Sequence, residues 1–415
     1  EIKECDWSSD VCSSDLQVLA FLVDVVGYRD RMLMLRAASA ELGGVRLLTS
    51  YLPRGWDPRE VETPRFQVIP VSPRPVRRAR LQLLLARQVH QLLATTDAQI
   101  LHDSQGFLVP TFVAERLRRP RRRVLLTSIF AALYDWEQVV RHRWPYGWGK
   151  FLVARWRALG LERLQAATAD ACTLFGEGHL NPFAAFHGLD RERVFSLPNC
   201  VDPARFAPQP PDPALTGFPP GSQVLLYTGA LFRHKGIFDL VTAFSRVAAS
   251  YPEARLLLVG EAHPPELRRL VDLVAGLGLG ERVRIRGGLP REELPRLLSS
   301  CQVFVFPSYN EGSPRSVIEA LACGLPVVGS RIPGITTLDP GERFIDFVER
   351  GDVPALTAAL TRQLADPAAA RQRGELARAH FLAAHTPAAA GRALAALYRR
   401  LDRELDHLGA AGPSG

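Results

Sequence analysis

Two stretches of this chain carry reactive residue types at spacings that would bring them together. The first is YNEGSPRSVIEALACGLPVV at 309–328, directly after the apolar run QVFVFPS. Within it, Ser313 as N-cap and Pro314 at the first helical position predict a helix that stops at Gly324. A helix start presents unpaired backbone N–H groups and the positive end of the helix dipole, so the run from Gly312 through Ser313 and Pro314 to Arg315 offers a seat for a phosphate. Glu311 precedes that helix and Glu319 falls about a turn and a half inside it, which places a carboxylate on either side of the anion. Carboxylates accept hydrogen bonds from sugar and ribose hydroxyls.

The second stretch is YTGALFRHKGIFDLVTAF at 227–244, where a strand ends in Gly229, a loop carries Arg233 and Lys235, and Gly236 opens a helix. Lysine occurs elsewhere only at 3 and 150. Two cations beyond a strand end would neutralise a diphosphate and stabilise it as a leaving group, work that a metal does elsewhere. Weaker signals are Gly260 and Glu261 after the run LLLV, Tyr309 as a partner for a base, and Gly334 in SRIPGITTL, where backbone could approach a ligand. The glycines of GLGLG at 276–280 close a helix and precede a strand, the reverse of a dinucleotide fingerprint, and read as a helix stop.

The elements that must hold these residues alternate short β-branched apolar runs with longer helical segments, the pattern of parallel α/β layers. QVLAFLV, VRLLTS, FQVIPV, AQILH, RVLLTS, ACTLF and RVFSLP predict strands of one sheet between 17 and 198. VLLYTG, ARLLLVG, RVRIRG, QVFVFPS, PVVGS and RFIDF predict those of a second between 224 and 347. The fold class is therefore α/β, with two Rossmann-like doubly wound parallel-sheet domains facing across a cleft. The domains run over 17–200 and 223–384, with a Pro-rich linker at 201–222 and a C-terminal helix and tail at 385–415 that could pack back on the first domain. Ligands of open parallel sheets sit beyond the carboxyl ends of strands, where both motifs fall.

At 415 residues, 47% apolar and 23% charged, the chain has the composition of a soluble globular protein and not of a disordered, collagen-like or disulfide-scaffold one. No run reaches the 18 or so uncharged apolar residues a spanning helix needs, and the chain reads as cytoplasmic. The six cysteines show no CxxC pair and read as reduced thiols, with no metal site expected. Residues 1–16, EIKECDWSSDVCSSDL, have neither strand nor helix period and resemble translated adapter read-through, so they read as a non-native leader.

The succession GALFRHKG, LLLVG, RVRIRGGLPREELPRLLSSCQVFVFPSYNEGSPRSVIEALACGLPVVGSRIPGI resembles the C-terminal half of the GT4-type retaining glycosyltransferases (GT-B fold, glycosyl transferases group 1), including their Glu, seven residues, Glu signature at Glu311 and Glu319. SLPNCVDPARFAP at 196–208 is similar to the family's inter-domain segment. The resemblance implies retaining transfer of a hexose from a nucleotide-sugar, a UDP- or GDP-sugar, with no cofactor and no obligatory metal. There is no DxD tripeptide. By that pattern Arg233 and Lys235 hold the donor diphosphate, Glu319 the ribose, and Glu311 with the backbone of Gly312–Arg315 the transferred sugar, beside Gly229 and Gly260. Departures are Ala230 where the family often has Arg, Cys200 after Asn199 where it often has Gly, and a first glycine-rich loop reduced to VDVVGYRDR with Gly27 alone. The family's acceptor-side histidine has no counterpart in TSIFAALYDW, which leaves His102, Asp103 and Asp135 as acceptor-side candidates.

Between 73 and 163 there are 17 Lys+Arg against 6 Asp+Glu, interleaved with Leu and with Trp136, Trp144, Trp148 and Trp156. Arg on one face and Leu or Trp on another suit a segment lying on an anionic membrane. The expected partners are thus a nucleotide-sugar, a glycan or lipid-linked acceptor, and an anionic membrane surface at the inner face, with no nucleic acid. A catalytically silent nucleotide-sugar-binding module is the alternative reading.

Overall fold

The computed structural model describes residues 16–22, 29–52, 56–75, 78–104, 107–117, 123–129, 160 and 162–410. Gly27, Asp135, the Trp-rich segment 130–159 and residues 1–15 lie outside them. Leu16, assigned by sequence to the leader, is buried in the first core, and its carbonyl accepts the Gly44 N–H at 3.3 Å.

The first sheet contains β1 (Gln17–Leu22), β2 (Gly44–Thr49), β3 (Phe66–Pro70), β4 (Ile100–Asp103), β5 (Val124–Ser128), β6 (Ala171–Phe175) and β7 (Val194–Leu197). Its order is β3-β2-β1-β4-β5-β6-β7, parallel throughout. Strand period decides which core each residue enters. Val18, Ala20 and Leu22 of β1 face one layer, while Leu19 and Phe21 face the other. The second layer is built by α2 (Arg78–Thr95), α3 (Val109–Leu117), α4 (Arg163–Thr168) and α5 (Leu180–His187).

The second sheet contains β8 (Gln223–Thr228), β9 (Ala254–Val259), β10 (Val283–Arg286), β11 (Val303–Phe306), β12 (Val327–Ser330) and β13 (Ile345–Val348). Its order is β10-β9-β8-β11-β12-β13, again parallel. Helices α6 (Ile237–Ser250), α7 (Pro264–Gly276), α8 (Leu294–Ser299), α9 (Arg315–Ala322), α10 (Pro333–Thr336), α11 (Val353–Ala365) and α12 (Pro367–Ala384) connect the strands and follow the last of them. Central strands β8 and β11 are buried on both faces, whereas the edge strand β10 exposes Arg284 and Arg286, as a sheet buried by helices on both sides requires.

The Pro-rich segment 201–222 forms no strand, but it is tied down. Val201, Phe206 and Phe218 enter the second core, and the backbone N–H groups of Gln209 and Asp212 donate to the hydroxyls of Ser299 and Ser300. The chain then returns. Helix α13 (Pro387–Ala410) packs on α1 (Arg29–Ser39), and Ala390, Leu394, Leu397, Tyr398 and Leu401 complete the first core. Each fully buried Leu contributes roughly 1.5–3 kcal/mol, against about 0–1 kcal/mol for a partly exposed ion pair such as Arg399 with Glu41, so the apolar stripe holds the helix there.

Candidate functional site

Each sheet reverses its strand order once, between β1 and β4 and between β8 and β11. Crevices for ligands open at such points beyond the carboxyl ends of the strands. The two sequence motifs leave β8 and β11, so strand adjacency brings together residues about 76 positions apart. After β8, Gly229 takes φ 149 and Gly260, at the end of neighbouring β9, takes φ 155; a Cβ on Gly260 would run into the Gly229 carbonyl. Arg233 to Lys235 form one 3-10 turn, and Gly236 at φ 71 starts α6.

The Lys235 ammonium lies 2.5 Å from the Glu311 carboxylate, with both side chains four-fifths or more buried. The Ser308 hydroxyl donates to the same carboxylate oxygen at 3.1 Å. Arg233 is exposed beside them, its guanidinium 5.2 Å from the centre of the Phe238 ring. Tyr309 is held by its hydroxyl, which donates to Asp239 at 2.7 Å, and by its N–H, which donates to the His234 carbonyl at 3.0 Å. Burial, then the bond to Asp239, pushes the Tyr309 phenol up to about 12.

Helix α9 starts one residue later than the Ser-Pro pair predicts. Pro314 itself is the N-cap, with φ −71 and ψ 113, and no side chain caps the helix. The ring already enforces the φ that position needs, and the Pro314 carbonyl accepts the Ile318 N–H. The helix ends at Cys323, and Gly324 follows at φ 70. Glu319 is buried on it, and burial raises its carboxyl above the ordinary value while Arg291 and Arg315 oppose the shift. Arg291 donates to Glu319 at 2.9 Å and, from the same nitrogen, to Asp30 of α1 at 3.0 Å. Arg315 also donates to Asp30, whose other carboxylate oxygen accepts the Asp202 N–H at 3.1 Å. One carboxylate of the first lobe thus meets two guanidiniums of the second beside the predicted ribose carboxylate.

Two further polar contacts cross between the lobes. The His179 imidazole donates through Nε2 to the Glu311 carbonyl at 2.8 Å, and the Asn199 amide donates to the Ser313 carbonyl at 3.1 Å. Sequence reasoning named none of Asp30, His179 or Arg291 as site residues. Asp30 and Arg291 lie 261 positions apart, and His179 and Glu311 lie 132 apart, so no local spacing marks them.

The acceptor-side candidates fall elsewhere. His102 is 1% exposed, with Nδ1 2.6 Å from the Tyr398 hydroxyl and Nε2 2.7 Å from the Ser128 hydroxyl; burial pushes it down to about 3. Asp103 is buried and accepts the Leu108 N–H at 2.8 Å, directly before α3. Both are core residues in this arrangement and do not join the cluster around Glu311. Gly334 lies against backbone: a Cβ there would fall on the carbonyl of Glu311 and crowd that of Gly312.

Comparison with known proteins places this geometry. Residues 209–380 match the family described as glycosyl transferases group 1. Over 249 residues the chain is 32% identical to the GDP-mannose-dependent alpha-(1-6)-phosphatidylinositol monomannoside mannosyltransferase of Mycolicibacterium smegmatis, covering 57% of this chain and 63% of that protein. Over 196 residues it is 32% identical to the 2-deoxystreptamine N-acetyl-D-glucosaminyltransferase of Streptomyces fradiae, covering 46% of each. The chain spans about half the length of the curated relatives it matches. The solved sucrose-phosphate synthase of Thermosynechococcus elongatus superposes with a TM-score of 0.68 at 23% identity, covering 94% of this chain and 100% of that one. The two-lobed α/β architecture is therefore the GT-B fold. Over residues 209–380 the second lobe matches the group 1 glycosyltransferases, and its listed relatives over that region are glycosyltransferases.

Proposed function

We propose that this chain is a retaining, metal-independent glycosyltransferase that moves a hexose from a UDP- or GDP-sugar to a glycan or lipid-linked acceptor in cell-surface polysaccharide or glycolipid synthesis. The observation that carries the reading is the Lys235 to Glu311 pair at the carboxyl ends of β8 and β11, beside the uncapped start of α9. Burying this pair strips water from both charges, a cost their attraction does little more than offset, so stability is a weak reason for it. A donor diphosphate reaching the 233–235 turn takes the ammonium from Glu311, and the freed carboxylate then accepts hydroxyls of the sugar. Negative charge grows on the departing diphosphate in the transition state, where Lys235, Arg233 and the α9 dipole stabilise it. Glu319 accepts the ribose hydroxyls, with Gly229 and Gly260 giving the nucleotide close access to backbone.

The acceptor side faces a membrane in this proposal, at the inner face of an anionic bilayer. Among the described residues no helix is long and apolar enough to cross a membrane. On α2, however, Leu83 is 74% exposed between the exposed Arg80 and Arg87, and Leu117 at the end of neighbouring α3 is 78% exposed. That mixture supports lipid contact. The relative from Mycolicibacterium smegmatis, by its name, acts on a phosphatidylinositol monomannoside. One observation favours the silent binding module: His102 and Asp103 are locked in the core and supply no acceptor-side base. Release of nucleoside diphosphate from UDP-glucose or GDP-mannose, measured with and without chelator, separates the readings. Turnover that survives chelation supports the transferase; binding without turnover supports the silent module.

A further inference from the structure

Loop 175–179, which leaves β6 in the first lobe, meets two loops of the second lobe backbone to backbone. Gly176 takes φ 93, and a Cβ there would fall on the Gly312 carbonyl oxygen. A Cβ on Gly178 would fall on Pro333, and one on Gly334 would fall on the Glu311 carbonyl. Only residues without a side chain let these three loops come so close. Into this stack one side chain of the first lobe reaches across, His179, whose Nε2 lies 2.8 Å from the Glu311 carbonyl oxygen. A carbonyl only accepts, so Nε2 carries the proton. The ring's Cδ2 also lies 3.4 Å from where a Cβ of Gly312 would stand, so the imidazole packs along the 311–312 peptide as well as bonding it.

We infer that His179 is a positioning residue for Glu311: from the first lobe it fixes the peptide from which the Glu311 carboxylate and the following amides face the transferred sugar. This inference rests on the donor-site reading above. Lys235 and Ser308 restrain the Glu311 side chain from within the second lobe, while its backbone carbonyl is restrained from the first. Through His179 the apposition of the lobes is therefore read out at the sugar-binding end of the site, whereas the diphosphate cations Arg233 and Lys235 both come from the second lobe. The consequence is a split. Losing the His179 hydrogen bond weakens handling of the sugar and spares the nucleoside diphosphate.

The test uses the full chain with UDP, GDP, UDP-glucose and GDP-mannose, measuring affinity by calorimetry and turnover by release of nucleoside diphosphate. His179→Ala is expected to bind UDP or GDP within about twofold of wild type and to lose about tenfold or more in kcat for nucleotide-sugar cleavage, the scale of one hydrogen bond that acts in the transition state. His179→Gln, whose amide can donate to the same carbonyl, is expected to recover most of that loss. Gly176→Ala, which keeps the imidazole but blocks the approach, is expected to behave like His179→Ala. Unchanged kcat in His179→Ala, or equal loss of diphosphate affinity and turnover with no rescue by Gln, overturns the inference. Failure of the wild-type chain to bind any of the four nucleotides overturns instead the donor-site reading on which it rests.

Discussion

At the scale of single residues, the site sets charge against burial. Glu319 is buried with its carboxyl raised above the ordinary value, so ionisation is disfavoured by folding even with two guanidiniums nearby. This penalty is present above the folded-state value and is lifted as pH falls below the ordinary one. Glu319→Gln at pH 7 is therefore expected to leave the melting temperature unchanged or higher while weakening nucleotide-sugar affinity about tenfold or more, for the loss of a charged acceptor. A drop of several degrees in Tm, or unchanged affinity, contradicts this. Glu311, Lys235 and Glu319 were legible in the sequence because local spacing on strand ends and a helix announces them. Asp30, Arg291 and His179 were not, because their partners are made by the docking of two lobes and no period in the chain encodes it.

At the scale of elements, the parallel strands were readable to within a residue or two because a central parallel strand is apolar on both faces and bounded by polar turns. The return of the C-terminal helix to the first domain was expected, but its seat on α1 was not legible. Its composition predicts a helix, but its docking on α1 depends on which surface the first sheet leaves uncovered. His102 shows the same limit: it stood as an acceptor-side candidate because the resembling family's histidine has no counterpart here, yet Tyr398 of α13 and Ser128 of β5 hold both ring nitrogens in the core. That burial has a measurable cost in acid. The ring's value falls from 6.5 to about 3, so the stability of the neutral ring is complete above 6.5 and is lost as pH falls toward 3. Denaturant unfolding at pH 5 is expected to show about 2 kcal/mol less stability from this group than at pH 7. In His102→Gln the slope is expected to flatten by that amount, and an unaltered slope contradicts the assignment of His102 to the core.

At the scale of the whole molecule, two lobes are joined by the 201–222 segment, by the return of α13, and by a small set of polar contacts across the cleft. Asp30 is central to that set, since it faces Arg291 and Arg315 together. Removing its charge leaves the Arg291 and Arg315 guanidiniums with less negative charge beside them, Glu319 being the remaining carboxylate bonded to Arg291. The Asp30 side chain is 6% exposed and its partners about 30%, so the loss falls between the ~1 kcal/mol of exposed pairs and the ~3–5 kcal/mol of buried ones. Asp30→Asn is expected to open the lobes, seen as a larger radius of gyration in small-angle scattering, with nucleoside diphosphate affinity retained. Identical scattering and unchanged turnover contradict a role in apposition. The most direct measurement is a crystal structure of the chain soaked with the nucleotide-sugar that it binds best. A diphosphate within hydrogen-bonding distance of the Lys235 ammonium, with the sugar hydroxyls on Glu311, is the predicted result. Lys235 still paired to Glu311 and the nucleotide bound elsewhere would contradict the account.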